Sequence, residues 1–240
     1  MSNPLHSIQG KHVVVVGGTS GIGRAVAKQS AAAGARVTVA SRNRKRVDDT
    51  VALLGAPAQG QVVDLTDAES VRTFFAQAGE IDHLVLPGNE VHVGPFLKLP
   101  IADAQASMGS KFWGQYAAIR AAQMAPTGSV VLFSGVASRK PGAGAPALTA
   151  INAAVEALGK ALAVELAPVR VNVIAPGLVD TELWAGLGET RAAAFKSFAQ
   201  RQPISRLGQP EEIAAVVLTM MTATFMTGAV VDVDGGTLLV

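Results

Sequence analysis

The sequence contains no cysteine, a single tyrosine and few charges: acidic and basic residues together make up 16% of its 240 positions, and the formal net charge is +2. Without cysteine, disulfide frameworks and thiolate chemistry are excluded. A charge so small, with its one basic cluster at 42–46, gives no footprint for nucleic acid. The scarcity of charge also argues against a disordered tail. The opening residues, MSNPLHSIQGKH, carry no apolar signal region, and no run is expected to reach the length of a membrane span. A soluble cytoplasmic protein without membrane partners is therefore expected, and no metal. What is present, 49% apolar residues, is enough for one well-buried domain over 1–240, with no repeat or linker.

The chain is arranged around 13–24, VVVVGGTSGIGR. Four successive valines read as a strand buried on both faces, where polar and apolar residues need not alternate. Gly17, Gly21 and Gly23 then interrupt it, and a small-residue helix is expected from Ala25 to Ala33, closed by Gly34. A strand, a glycine-rich turn and a helix in that order make a phosphate site. The helix N-terminus offers unpaired N–H groups and partial positive charge, and glycine lets backbone approach a pyrophosphate closely.

Further strands are expected at 36–40, 61–65, 81–86, 129–133, 170–174 and 229–233. Helices are expected around Val47–Leu54, from a capping box of Thr66 and Glu69 to Gly79, over 101–124, over 149–166, and from Pro210 to about Met221. Gly109 and Gly114 are read as allowing close packing of the long helix over 101–124, and 181–209 as irregular and partly helical. Alternating strands and helices predict a single-domain, Rossmann-like α/β fold, a doubly wound parallel sheet of about seven strands. After the second strand an acid would bind the adenosine ribose, yet Ser41 and Arg42 stand there. A guanidinium suits a 2′-phosphate, favouring NADP(H) over NAD(H).

These landmarks resemble the short-chain dehydrogenase/reductase family over essentially the whole chain. VGGTSGIG at 16–23 is similar to its TGxxxGIG turn, Asp64-Leu65 to its adenine-contacting pair, and RVNVIAPGLVDT and TGAVVDVDGG to its late motifs. The resemblance implies cofactor contacts at Gly17, Thr19, Ser20, Gly21, Ile22, Gly23, Ser41, Arg42, Asp64, Leu65, Gly88 and Asn152. It implies nicotinamide-side contacts at Pro176, Gly177, Val179 and Thr181. It also implies a dimer or tetramer formed through the two long helices and the C-terminal strand.

The family's proton chemistry uses a serine, a tyrosine and a lysine, and here those positions hold Gly135, Leu148 and Asn152. LPGN at 86–89 replaces its NNAG, and Lys111 stands where an asparagine joins the proton relay. The only tyrosine, Tyr116, lies on the preceding long helix, so no shift of register restores the set. The candidates to supply catalysis are His92, whose imidazole is suited to acid or base work, Lys111, Ser134 and Asn152. Glu90 is a candidate to orient His92, and Thr149 a further polar contact. Leu183, Trp184, Leu187 and Phe195 offer an apolar lining for a substrate. Three readings stay open. One is an NADP(H)-dependent oxidoreductase acting on a small carbonyl, imine or alcohol with an unusual proton donor. The others are a dinucleotide-binding sensor or complex partner without hydride transfer, and a lyase or isomerase.

Overall fold

The computed structural model describes residues 7–88, 90–182 and 191–240. Its first strand, β1 (His12–Val16), is buried along its whole length. Val13 and Val15 enter one apolar layer, Val14 and Val16 the other, so the unbroken valine run follows from cover on both faces. With β2 (Arg36–Ser41), β3 (Gln59–Val62), β4 (Glu80–Leu86), β5 (Gln123–Phe133), β6 (Arg170–Pro176) and β7 (Val230–Val233) it forms a seven-stranded sheet ordered β3-β2-β1-β4-β5-β6-β7. Every pairing is parallel.

Helices α1 (Gly21–Ala32), α2 (Arg44–Leu54) and α8 (Pro210–Thr222) cover one face. Helices α3 (Ala68–Ala78), α5 (Gly114–Ala121) and α6 (Pro146–Glu165) cover the other. The chain leaves β3 at one edge and returns as β4 on the far side of β1. This reversal opens a crevice above the C-terminal ends of β1 and β4, the usual place for a ligand in such sheets.

Several boundaries differ from those expected. The helix over 101–124 is three pieces: α4 (Ile101–Met108), a π-helical turn at Gly109–Trp113, and α5. Gln115 fixes the widened turn: its Nε2 donates to Lys111 O at 2.6 Å, and its Oε1 accepts the Phe133 N–H at 3.1 Å. Gly109 faces open space rather than a packed neighbour, whereas a Cβ on Gly114 would lie 3.0 Å from Leu65 Cβ. β5 starts well before residue 129, because Gln123 and Met124 pair with Glu80 and Ile81 ahead of a register shift. Pro126 and Gly128 lie within that shift, where the regular ladder is interrupted.

Asp67, not Thr66, caps α3, accepting the Glu69 N–H at 2.9 Å. Thr66 instead turns back on Asp64, donating N–H and hydroxyl to Oδ1 at 2.9 and 2.7 Å. β3 ends before Asp64, α1 begins at Gly21, and α6 begins at Pro146. The reading that no segment reaches membrane-span length is also corrected. Among the described residues α6, with 20 residues, is long and apolar enough, although one of its faces packs on the sheet.

Beneath the sheet His83 is buried against Ser129, Nδ1 to Oγ 2.8 Å. Burial pushes its pKa down to about 4, against a smaller pull from Asp82. Its folded pKa thus lies below the unfolded value near 6.5. Its contribution to stability is complete above pH 6.5 and is lost as pH falls towards 4, roughly 3 kcal/mol in all. Thermal melting across this window is expected to fall steadily in the parent protein. The fall should be shallower in His83→Gln; equal slopes would contradict this assignment.

Candidate functional site

The floor of the crevice is backbone against backbone. Gly17, at φ +93°, follows β1, and Gly88 follows β4. A Cβ on Gly17 would stand 2.2 Å from Gly88 Cα, and one on Gly23 would stand 2.1 Å from Gly17 O. Gly88 N–H donates to Val16 O at 3.0 Å, closing the two turns together. The first turn of α1 is thereby pressed down between the ends of β1 and β4.

That first turn carries an anion. Ser20 is the N-cap, in extended conformation, and its side chain makes no capping bond. Gly21 N–H instead donates to Glu182 Oε2 at 3.0 Å, and Arg24 Nη2 reaches Glu182 Oε1 at 2.6 Å. Burial works against this carboxylate, but backbone N–H groups and Arg24 hold its pKa below the usual range. The Thr181 side chain lies beside Gly21, 3.1 Å from where a Cβ would stand. Thr19 is buried, and the Ile22 side chain packs into the core, leaving its main chain to the turn.

At the end of β2, Ser41 is half-buried and Arg42 exposed. Arg42 is already paired: its Nη1 donates to Glu90 Oε2 at 2.7 Å. This qualifies the reading of Arg42 as waiting for a ribose phosphate. His92 belongs to the same group, its Nε2 3.7 Å from Glu90 Oε1 and its N–H on Ser107 Oγ at 2.8 Å. Asp64 is held ionised chiefly by the Thr66 N–H, with Arg42 adding a smaller attraction. Leu65 packs in the core layer beside Gly114.

The other end gathers three of the four catalytic candidates. Asn152 Nδ2 donates to Gly135 O at 3.3 Å, so the two residues expected at the family's lysine and serine positions meet. Lys111, on the π-turn, is buried, and its Nζ donates to Ser134 O at 3.0 Å. Burial alone pushes its pKa down to about 8. Asn152 Oδ1 and Thr149 Oγ1, three residues apart on α6, are buried and have no hydrogen-bond partner among the described residues.

Ser134 is not available as a proton donor to a ligand. Its Oγ donates to Glu156 Oε1 at 2.9 Å, joined there by Ser138 Oγ at 2.6 Å. Arg139 links the same carboxylate to Asp232. Ser134 therefore positions the loop after β5. His92 is held elsewhere, with Glu90 and Ser107, and shares no hydrogen-bond partner with Lys111, Ser134 or Asn152.

Beyond β6, Pro176 is half-buried and Gly177 N–H donates to Val233 O at 3.0 Å. Val179 bridges to Gly208 and buries its side chain in the core, so what it offers a ligand is main chain. Phe195 lies on α7 (Arg191–Ala199), half-buried, while Leu183, Trp184, Leu187 and the Asn89 of LPGN lie outside the described residues. Arg24, Gln115, Glu156 and Glu182 were not singled out by the sequence. Each has a partner distant in the chain, respectively Glu182, Phe133, Ser134 and Gly21, and nothing local marks them.

Gly17→Ala would force a methyl into Gly88 and strain a left-handed backbone. Its expected cost is about 2–4 kcal/mol of folding free energy, read by denaturant titration. An unchanged midpoint would show that the two turns are not packed this tightly.

The model of enoyl-(acyl carrier protein) reductases matches residues 16–237. The short-chain dehydrogenase/reductase ATR9 of Stachybotrys chlorohalonatus is 32% identical over 255 residues, covering 98% of this chain and 100% of the relative. Among solved structures, a small-chain dehydrogenase in complex with NADPH shares 36% identity. Its TM-score is 0.85, over 96% of this chain and 99% of that one. An NADPH-bound short chain oxidoreductase of Pseudomonas aeruginosa PAO1, described as containing an atypical catalytic center, shares 28% identity. Its TM-score is 0.90, over 97% and 98% of the two chains. With its parallel sheet, glycine floor and late β6 and β7 motifs, this chain belongs to the short-chain dehydrogenase/reductase family.

Proposed function

We propose that the protein is an NADP(H)-dependent oxidoreductase that reduces a small carbonyl or imine, with Lys111 as the proton donor. The observation that carries this is the buried Lys111 ammonium on Ser134 O, next in the chain to Gly135, whose carbonyl Asn152 holds. The residues present fit the cofactor. Asn152 Oδ1 and Thr149 Oγ1 are orphaned acceptors suited to ribose hydroxyls, and the first turn of α1 already binds a carboxylate. Two NADPH-bound relatives of similar fold add support.

When bound, the nicotinamide supplies a hydride to the carbonyl carbon. The chain's own part is to protonate the oxygen. Leu148, in the tyrosine position, has no proton to give. Lys111 Nζ carries three, and one is spent on Ser134 O. A pKa near 8 leaves the ammonium largely protonated at neutral pH yet acidic enough to transfer a proton. Ser134 O fixes its position, and Gln115 holds the π-turn that carries it. The reverse oxidation of an alcohol would use the neutral amine as base.

A buried ammonium costs stability, and a site that keeps one against that cost is a functional candidate. Lys111→Met should therefore melt higher while losing roughly 10²–10⁴-fold in reductive kcat. Reduction by the parent should decline as pH rises through about 8, and the variant should lack that limb. Higher stability with undiminished turnover would remove Lys111 from the chemistry.

The broader test is NADPH consumption with a panel of aldehydes, ketones and imines. Turnover supports the reading. Tight NADPH binding with no turnover supports instead a cofactor-binding sensor or complex partner, the reading that Leu148 favours. Restoring the family's trio with Gly135→Ser, Leu148→Tyr and Asn152→Lys should then create carbonyl reductase activity. A folded, NADPH-binding triple variant without activity would show that the pocket itself has changed.

The protein is further read as a dimer or tetramer. Ile101, Trp113, Tyr116 and Val164 are exposed on α4, the π-turn, α5 and α6. A stripe of exposed small residues, Ala150, Ala153, Ala157 and Ala161, runs along α6.

A further inference from the structure

Two carboxylates stand on the two groups best suited to phosphate. Glu182 takes the Gly21 N–H at the start of α1 and the Arg24 guanidinium. Glu90 takes Arg42, at the end of β2. Neither acid is a local neighbour of its partner, lying 161 residues from Gly21 and 48 from Arg42. Neither is locked in by burial, their side chains being 53% and 48% exposed. Each can therefore swing away without leaving a buried charge behind. Each also makes the kind of contact a phosphate oxygen would make: an anion on a helix N-terminus, and an anion on a guanidinium.

We propose, resting on the NADP(H) reading above, that Glu182 and Glu90 are internal competitors for the cofactor's phosphates. Glu182 occupies the pyrophosphate position on α1, and Glu90 occupies the 2′-phosphate position on Arg42. Binding exchanges carboxylate for phosphate at both places, so it is weaker than the same donors would give if free. Glu90 in addition sets selectivity. Its hold on Arg42 taxes NADPH but not NADH, which has no 2′-phosphate to claim the guanidinium. Pairs as exposed as these are individually weak, so each exchange is worth a modest factor in affinity, roughly three- to tenfold.

The test is calorimetric titration of NADPH, NADH and adenosine 2′-monophosphate into the parent protein, Glu182→Gln and Glu90→Gln. Removing the charge at 182 should tighten NADPH and NADH and leave the 2′-monophosphate unchanged, since that ligand has no pyrophosphate. Removing the charge at 90 should tighten NADPH and the 2′-monophosphate and leave NADH unchanged. Unchanged or weakened NADPH binding in both variants overturns the proposal. So does an equal gain for all three ligands, which would be the signature of a general field rather than contact. If parent and variants alike fail to bind NADPH while melting cooperatively, the cofactor reading falls and the inference with it. Binding with unaltered constants defeats the inference alone.

Discussion

Gly17 and Gly88 approach so closely that a single methyl on either would collide with the other's backbone, and the arrangement of the crevice follows from that contact. It joins the turn after β1 to the turn after β4, the two strands between which the chain reverses direction across the sheet. Gly23 brings the first turn of α1 down onto the same point. The helix's unpaired N–H groups then face the crevice from a fixed height. Thr181 and Glu182, arriving from beyond β6, meet them at Gly21. An anion site results, built on close-packed main chain and completed by the Arg24 guanidinium.

The opposite end of the crevice is built on the π-turn. An ordinary α-helix through 109–113 would not present Lys111 and Gln115 as they stand. The wider turn points Lys111 inward to Ser134 O and lets Gln115 bond both Lys111 O and Phe133. Such turns are frequent at functional sites because they displace one residue from the regular helical face. Here the displaced residue is an ammonium with no counter-ion among the described residues, held by one carbonyl. On α6, which packs against the π-turn, Asn152 Nδ2 donates to Gly135 O, the carbonyl next to the one that holds Lys111.

Elsewhere, two charged groups tie elements together. Glu156 collects Ser134, Ser138 and Arg139, and through Arg139 joins the loop after β5 to Asp232 in β7. Arg170 spreads over the carbonyls of Met220, Met221, Ala223 and Met226 at the end of α8, where a cation meets the negative end of the helix. Both groups stand at seams between elements, where they fix a loop or a helix end.

The order of strands and helices and the glycine-rich turn between β1 and α1 are legible in the sequence. They depend on local signals: runs of valine, glycines at set spacing, and proline at a helix start. Local pattern could not disclose the break of 101–124 into two helices around a π-turn, because the cause, Gln115 bonding to Phe133, lies across the sheet. Nor could it show that Ser134 is spent on Glu156, that Lys111 is buried rather than solvated, or that Arg42 and α1 each hold a carboxylate. Sequence spacing governs neighbours along the chain. Whether a charge is buried, and what it meets there, is decided by residues that only the folded sheet brings within reach.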